Sequence, residues 1–497
     1  MGQHDPRLAE LLCALSVSLD LAMAQPPEKS IRSCLVAMRL ADRLGVTDKR
    51  TVYYATLLRH LGCTATTHEE LYLIGPRAAE LRPLAERTDT TSRKESLNYL
   101  RHVGKGAGIR RLQYVARTLA AGDDDVLRAV CEVGSMLAER LGLGPAVAEA
   151  LYQNLERWDG KGTPKGLAGN EIHIATRVAE VATQAVIADS KTLQNRAGAW
   201  LDPDIVAAYD DSLVADLDEI DVWQATLDAE PQPWCTTSDL DELARTFAYF
   251  VDLKSPYLFG HSTGVAALAD EAARLLNLDD AERATLRRAA LLHDLGRVAV
   301  ATAVWERPGP LRRADWEQVR LHPYQSERIL SRSPVLEPIA VLAALHHERL
   351  DGTGYPRQAK GGELSTAARI LAAADCYQAL TQDRPHRSAH SPEGAAELIL
   401  VQVAAGRLDG HCVKAVLAAA GQQVPGRRMS RPAGLTEREI DVLRLLARGS
   451  SNADIARELV VSRRTAEHHV QHIYGKIGVS TRAAAALFAM QHGLFTQ

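Results

Sequence analysis

The sequence predicts an all-α protein, and three observations carry that prediction. Apolar residues recur three and four apart along most of the 497 residues. Alanine and leucine abound, whereas alternating β-branched runs are scarce. The first half also repeats in the second, so the helices form two bundles of one kind, followed by a shorter helical module. A hydrophobic fraction of 46% is enough to fill cores, and the length suits roughly three domains. Proline-bearing stretches from Glu230 to Thr237 and from Gln422 to Ala433 read as linkers. The expected domains are therefore 1–232, 238–421 and 434–497.

The repeat is visible in three places. Lys29-Ser30, Leu44-Gly45-Val46 and Leu57-Leu58-Arg59-His60-Leu61-Gly62 match His261-Ser262, Leu276-Asn277-Leu278 and Leu291-Leu292-His293-Asp294-Leu295-Gly296. Glu156-Arg157-Trp158-Asp159-Gly160-Lys161-Gly162-Thr163-Pro164 matches Glu348-Arg349-Leu350-Asp351-Gly352-Thr353-Gly354-Tyr355-Pro356. Near the ends, Ala197-Gly198 matches Ala405-Gly406. The chemistry does not repeat: Lys29 stands for His261, Arg59-His60 for His293-Asp294, Asn154-Leu155 for His346-His347, and Thr183 for Asp375. Lysine and arginine cannot ligate a cation, so the first copy reads as catalytically dead.

The second copy holds His261, His293, Asp294, His322, His346, His347 and Asp375. Any one of these histidines alone would pass for a core or surface imidazole. As a set, imidazoles and carboxylates suit a first-row metal such as iron, manganese or zinc. A shared carboxylate can bridge two metals, which activate a water and steady the oxygens of a phosphoryl displacement. The apolar flanks Ala289–Leu292, Ile339–Leu345 and Ala367–Ala374 would hold the donors at the ends of buried helices.

His261-Ser262, His293-Asp294, His322-Pro323, His346-His347-Glu348, Asp351-Gly352-Thr353-Gly354-Tyr355-Pro356 and Asp375 resemble the HD-GYP subgroup of HD-domain phosphohydrolases over about 180 residues. The resemblance implies HD-type helical bundles, the first degenerate. It implies one metal on His261, His293, Asp294 and Asp375. Asp294 would bridge to a second metal on His322, His346 and His347, with Tyr355 on the substrate side. The family's typical reaction is hydrolysis of cyclic di-GMP. Two divalent ions are expected, iron or manganese first, with zinc, nickel or magnesium as alternatives.

Three departures bear on substrate specificity and on the number of metals, which Tyr257 sets at two. Arg297 stands where many members carry lysine, Tyr257 where some carry a third-metal glutamate, and Arg384-Pro385-His386-Arg387 where the family has Arg-Pro-Tyr-Arg. Arg297, Arg384 and Arg387 remain candidates for phosphate contacts, and the catalytic pair is Asp294 with Arg297. The loop after Pro356 is irregular as well.

From Gly434 a four-helix pattern follows. Thr436 and Glu439 form a capping box, Gly449 is a stop, and residues 452–459 make a short helix. Ser462 caps a third helix with Ala466, Val470, Ile473 and Ile477 on its buried face. Residues 431–497 carry nine Lys/Arg and six Asp/Glu, a net of only +3. Leu435-Thr436-Glu437-Arg438-Glu439, Ser451-Asn452-Ala453-Asp454-Ile455-Ala456, Ser462–Val470 and Lys476–Arg482 resemble the LuxR/GerE-type helix-turn-helix domain almost end to end. That resemblance implies base contacts from Glu467, His468 and Gln471. Arg463, Arg464, Thr465, Lys476 and Arg482 would position phosphates. Glu467 replaces a common lysine and could accept from cytosine.

A net charge of -4 points by itself to neither nucleic acid nor membrane. Seven scattered cysteines without a CxxC pair, no run near the ~20 apolar residues of a span, and no signal-like start predict a cytoplasmic protein. The leading reading is a bacterial regulator: a metal-dependent cyclic dinucleotide phosphodiesterase joined to a DNA reader, binding double-stranded DNA as a homodimer and no membrane. The rival is a nucleotide-sensing transcription factor without turnover.

Overall fold

The periodic apolar residues become helices throughout, and no strand forms among the described residues. The computed structural model describes residues 6–120, 124–231, 236, 239–422 and 432–495. Both expected linkers fall largely outside that set, as does the stretch before Pro6. The chain divides into two units, 1–239 and 240–497. No described helix is long and apolar enough to cross a membrane.

The two units repeat one bundle. Helices Leu8–Ala22, Lys29–Arg43, Lys49–Leu57, Pro145–Tyr152 and Ile174–Ile187 correspond to Leu240–Asp252, His261–Leu275, Asp280–Leu292, Glu337–Ala343 and Thr366–Leu380. Matching hydrogen bonds reinforce the match. The buried Asp20 carboxylate accepts the Ser30 N–H at 3.0 Å and its hydroxyl at 2.6 Å. Asp252 does the same for Ser262, at 3.1 and 2.7 Å. Glu156 accepts the N–H groups of Lys165 and Leu167 at 2.6 and 2.9 Å. Glu348 accepts those of Arg357 and Ala359 at 2.7 and 2.9 Å. These buried carboxylates satisfy loop donors that would otherwise be orphaned.

Two glycines in each copy explain how the loops close. A Cβ on Gly354 would lie 2.5 Å from the Glu348 Cα, and one on Gly162 would lie 2.5 Å from that of Glu156. A Cβ on Gly296 would sit 2.1 Å from the His322 carbonyl oxygen, and one on Gly62 would sit 1.9 Å from that of Val130. The same close approach thus identifies Val130, in helix Asp124–Arg140, as the counterpart of His322. The sequence repeat alone gives His322 no counterpart. Additional helices, Thr67–Ile74, Ala78–Arg87, Arg93–Leu100 and Arg111–Ala120, separate Gly62 from Val130 in the first copy.

The C-terminal module has the four predicted helices, Glu437–Ala447, Asn452–Glu458, Arg463–Ile477 and Arg482–Gln491. The Thr436/Glu439 capping box and the Ser462 cap both form. Gly449 sits at φ 87°, where a glycine stop belongs. Ala466, Val470 and Ile473 join the core, with Ile477 packed at its margin. Phe259 also packs against this core, its ring 5.8 Å from that of Phe495. That phenylalanine lies two residues before His261, so the module rests on the segment leading into the histidine cluster.

Candidate metal centre and DNA-binding face

Four helix boundaries of the second copy deliver the donors. His261 begins its helix, His293 follows helix Asp280–Leu292, and His322 begins helix His322–Leu330. His346 and His347 follow helix Glu337–Ala343, and Asp375 projects from the middle of Thr366–Leu380. All seven candidates converge. His261 Nε2 and His293 Nε2 lie 3.6 and 3.4 Å from Asp294 Oδ2. His322 Nε2 and His346 Nε2 lie 3.3 and 3.6 Å from Asp294 Oδ1. Asp375 Oδ1 is 3.2 Å from His261 Nε2, and its Oδ2 is 3.6 Å from His347 Nδ1. Each oxygen of Asp294 therefore faces its own pair of imidazoles.

The protonation pattern fits a cation better than a set of hydrogen bonds. Nδ1 of His293, His322 and His346 lies 2.7, 2.6 and 2.7 Å from the carbonyls of Ala290, Val319 and Ala343. A carbonyl only accepts, so each Nδ1 carries a proton, and in the neutral ring Nε2 is then the nitrogen with the lone pair. In that form His322 Nε2 and His346 Nε2, 3.0 Å apart, would meet lone pair to lone pair. His293 Nε2 is buried without any hydrogen-bond partner. Unmet lone pairs in a dry pocket are what a metal ion would satisfy. Burial, with repulsion from His347 behind it, holds the His346 pKa well below the usual histidine range, which keeps the ring neutral. Burial alone would raise Asp294, but Arg297, followed by His293 and His322, pulls it well below the carboxylate range.

Three sets of donors are close enough to share an ion: His322, His346 and His347; His261, His293 and Asp375; and His293, Asp294 and His346. The predicted substrate residues divide. Arg297 sits beside the cluster, its Nη1 2.6 Å from Asp294 Oδ2 and its guanidinium 4.1 Å above the Trp305 ring. The Tyr355 ring lies 4.8 Å from that of His347, whose side chain is still 29% exposed, so this is the open side of the cluster. Arg384 donates to the Tyr257 carbonyl at 2.6 Å, and burial, then Arg297, lowers its pKa to about 10. Arg387 is instead spent on the carbonyls of Leu380, Gln382, Ser388 and Ala379 and holds its loop closed. Sequence reasoning missed Gln382, whose Oε1 is 2.9 Å from His261 Nδ1, and Asp252. Asp252 had a signal, because the Asp–Ser spacing of ten recurs as Asp20–Ser30; Gln382 had none.

In the first copy the same place is filled by ion pairs. Lys29 contacts the half-buried Glu86 and lies 3.4 Å from His60, and Arg59 contacts Glu180; apart from Glu86 these residues are buried. Asn154 donates to the Arg59 carbonyl at 2.8 Å. Thr183 Oγ1 is buried without a partner.

On the C-terminal module, Arg463, Arg464, Thr465, His468 and Gln471 lie exposed along helix Arg463–Ile477, with Glu467 half-buried beside them. Arg463 pairs with Glu467 at 2.9 Å. Lys476 turns onto Glu439 at 2.7 Å, and Arg482 donates to the carbonyls of Leu446 and Ser450 at 2.9 and 2.7 Å. Those last two cations brace the module.

Comparison with known proteins agrees with this layout. The family described as HD domain matches residues 111–205 and 245–412, and that described as bacterial regulatory proteins, luxR family, matches residues 433–489. A 3'3'-cGAMP-specific phosphodiesterase of Vibrio cholerae, number 3 of that organism's set, is 32% identical over 78% of this chain and 89% of its own length. A cyclic di-GMP phosphodiesterase of Pseudomonas aeruginosa is 39% identical over 26% of this chain and 32% of its own length. The crystal structure of a cyclic GMP-AMP-specific phosphodiesterase of V. cholerae superimposes with a TM-score of 0.55 at 26% identity, covering 85% of this chain and 99% of that one. The chain belongs to the HD-domain family, as an HD-GYP-type member whose first copy has lost the donor set, and it ends in a LuxR-family helix-turn-helix domain.

Proposed function

We propose that the chain is a metal-dependent phosphodiesterase for a cyclic dinucleotide, coupled to a DNA reader. The observation that carries this is Asp294, whose two oxygens each face a separate pair of imidazoles. That division suits two ions rather than one. A bound metal pair supplies Lewis acidity and a water acidic enough to attack near neutral pH. Arg297, steadied by Asp294 and Trp305, faces a phosphodiester with a fixed cation, and Arg384 adds a second. Tyr355 covers the open side near His347. In the reaction, water adds to phosphorus, one ribose oxygen leaves and takes up a proton, and a linear dinucleotide results.

Two substrates deserve the test. Cyclic di-GMP is the family's typical substrate, but the relative that matches both copies acts on 3'3'-cGAMP, so that ligand stands beside it. Phe259 offers a route to the reader, since it packs on the module's core two residues before His261. We take the reader to bind paired half-sites as a homodimer, with Gln471, His468 and Glu467 at the bases and Arg463, Arg464 and Thr465 at phosphates.

Purified protein loaded with manganese or iron should convert one of the two dinucleotides to linear product, and a His293→Ala, Asp294→Ala double variant should not. Tight binding of either dinucleotide with no product under any metal would instead establish the non-catalytic sensor. Gln471→Ala should lose operator preference while retaining non-specific DNA affinity.

A further inference from the structure

The histidines of the cluster are not held alike. His293, His322 and His346 each give the Nδ1 proton to a carbonyl three residues earlier, from a turn that precedes them. His261 has no such turn. It is the first residue of its helix, and Gly260 before it is left-handed at φ 72°. Its Nδ1 meets Gln382 Oε1 at 2.9 Å instead.

The neighbours fix which way that amide points. Gln382 Oε1 also lies 3.3 Å from Arg384 Nη2, a group that only donates. Gln382 Nε2 lies 3.5 Å from the Phe259 carbonyl, which only accepts. Reversing the amide would set its NH2 against a guanidinium and leave its oxygen against a carbonyl. The oxygen therefore faces His261, the imidazole donates from Nδ1, and the Nε2 lone pair turns toward Asp375 and Asp294.

We propose that Gln382 is a positioning residue for His261, holding it in the tautomer and orientation that ligate metal while seating Arg384 beside it. The inference rests on the metal reading above and concerns only how one ligand is set. A partner at this remove from the metal typically tunes affinity by about 10- to 100-fold.

The test is manganese binding to the full-length protein, followed by the electron paramagnetic resonance of free and bound ion. Gln382→Leu has similar bulk but no acceptor, and it should weaken binding by about 10- to 100-fold. Gln382→Glu keeps an acceptor at the same reach and should stay within about threefold of the parent, a small part of that range. Gln382→Asn withdraws the amide by one methylene and should behave like the leucine variant, which covers the case in which leucine fails to fold. Parent-like binding in both the leucine and asparagine variants overturns the proposal. So does a glutamate variant as weak as those two, because the site would then depend on the amide NH2 that faces the Phe259 carbonyl and not on the acceptor. If the parent itself binds no manganese, iron or zinc, the metal reading fails first, and that result is distinct from the other two.

Discussion

The two bundles share a scaffold and differ at its centre. In the second copy the inner ends of the helices present imidazoles and carboxylates that crowd against one another. In the first, Lys29, Arg59, Glu86 and Glu180 occupy the corresponding region and neutralise in pairs. Burial alone would raise the Glu86 pKa, but His60 and Lys29 pull it well below the carboxylate range. The lesson is that a ring of inward-facing polar side chains must be electrically closed. A bound cation can do it in one copy, and built-in cations do it in the other.

The largest expected effect breaks the second centre. Asp294→Ala removes the carboxylate that faces both imidazole pairs, and turnover should fall by at least about 10³-fold, an effect of roughly 4 kcal/mol. Metal content per chain, measured on the same preparation, should fall with it. A variant retaining both full metal content and full turnover would deny Asp294 its bridging place. Chelation should discriminate between the copies in the same way. In calorimetry of the full chain, removing metal should lower only the transition belonging to residues 240–497, because ligand linkage stabilises only the unit that binds.

Next in size is the first centre. Glu86→Gln would leave Lys29 buried without its counter-ion, which typically costs about 3–5 kcal/mol. Lys29→Met together with Glu86→Leu should cost far less, because replacing a whole buried pair by apolar groups is often near neutral. Denaturant melts followed in the first unit would separate the two outcomes. Equal losses would mean that the pair is packed for shape and not closed for charge.

Buried Asp20 gives the comparison a pH axis. Burial, only partly offset by the Ser30 hydroxyl and by Lys29, raises its pKa to about 7, and Asp252 rises to about 8 for the same first cause. Below about pH 4, the ordinary carboxyl value, both the folded and unfolded chains hold the proton. Above it the unfolded chain releases the proton while the folded one keeps it, so stability falls as pH rises. The loss continues until the folded group ionises near pH 7, at no more than about 1.4 kcal/mol per pH unit. Asp20→Asn should flatten the first unit's share of that slope. A slope unchanged in the variant would place the titration elsewhere.

What could be read from the sequence follows from what is local. Helices, caps and the Gly449 stop depend on neighbours a few residues apart, and they form as expected. The donor set was legible because seven residues recur in a family's order, and the repeat showed which of them the first copy had lost. Val130 was not legible as the counterpart of His322, because extra helices separate it from Gly62 and no side-chain likeness marks it. Nor were the engagements of Arg387 with backbone carbonyls, or of Lys476 with Glu439. Cations look alike in sequence, and only the fold tells which ones are already used.

The smallest expected effect tests what the copies still share. Glu156 and Glu348 each take two backbone N–H groups from the loop that follows the glycine turn. Replacing either by glutamine would turn one acceptor into an NH2 facing an N–H, which should cost about 1–3 kcal/mol. The cost should be similar in the two units, because the geometry is nearly superimposable and no metal ligand is altered. Separate melts of the two variants, with metal present and absent, would check this. A penalty at Glu348 that vanished on chelation would mean that the loop is held by the metal site. A penalty equal in both copies and indifferent to metal would show that the loop brace belongs to the scaffold and outlived the chemistry in the first bundle.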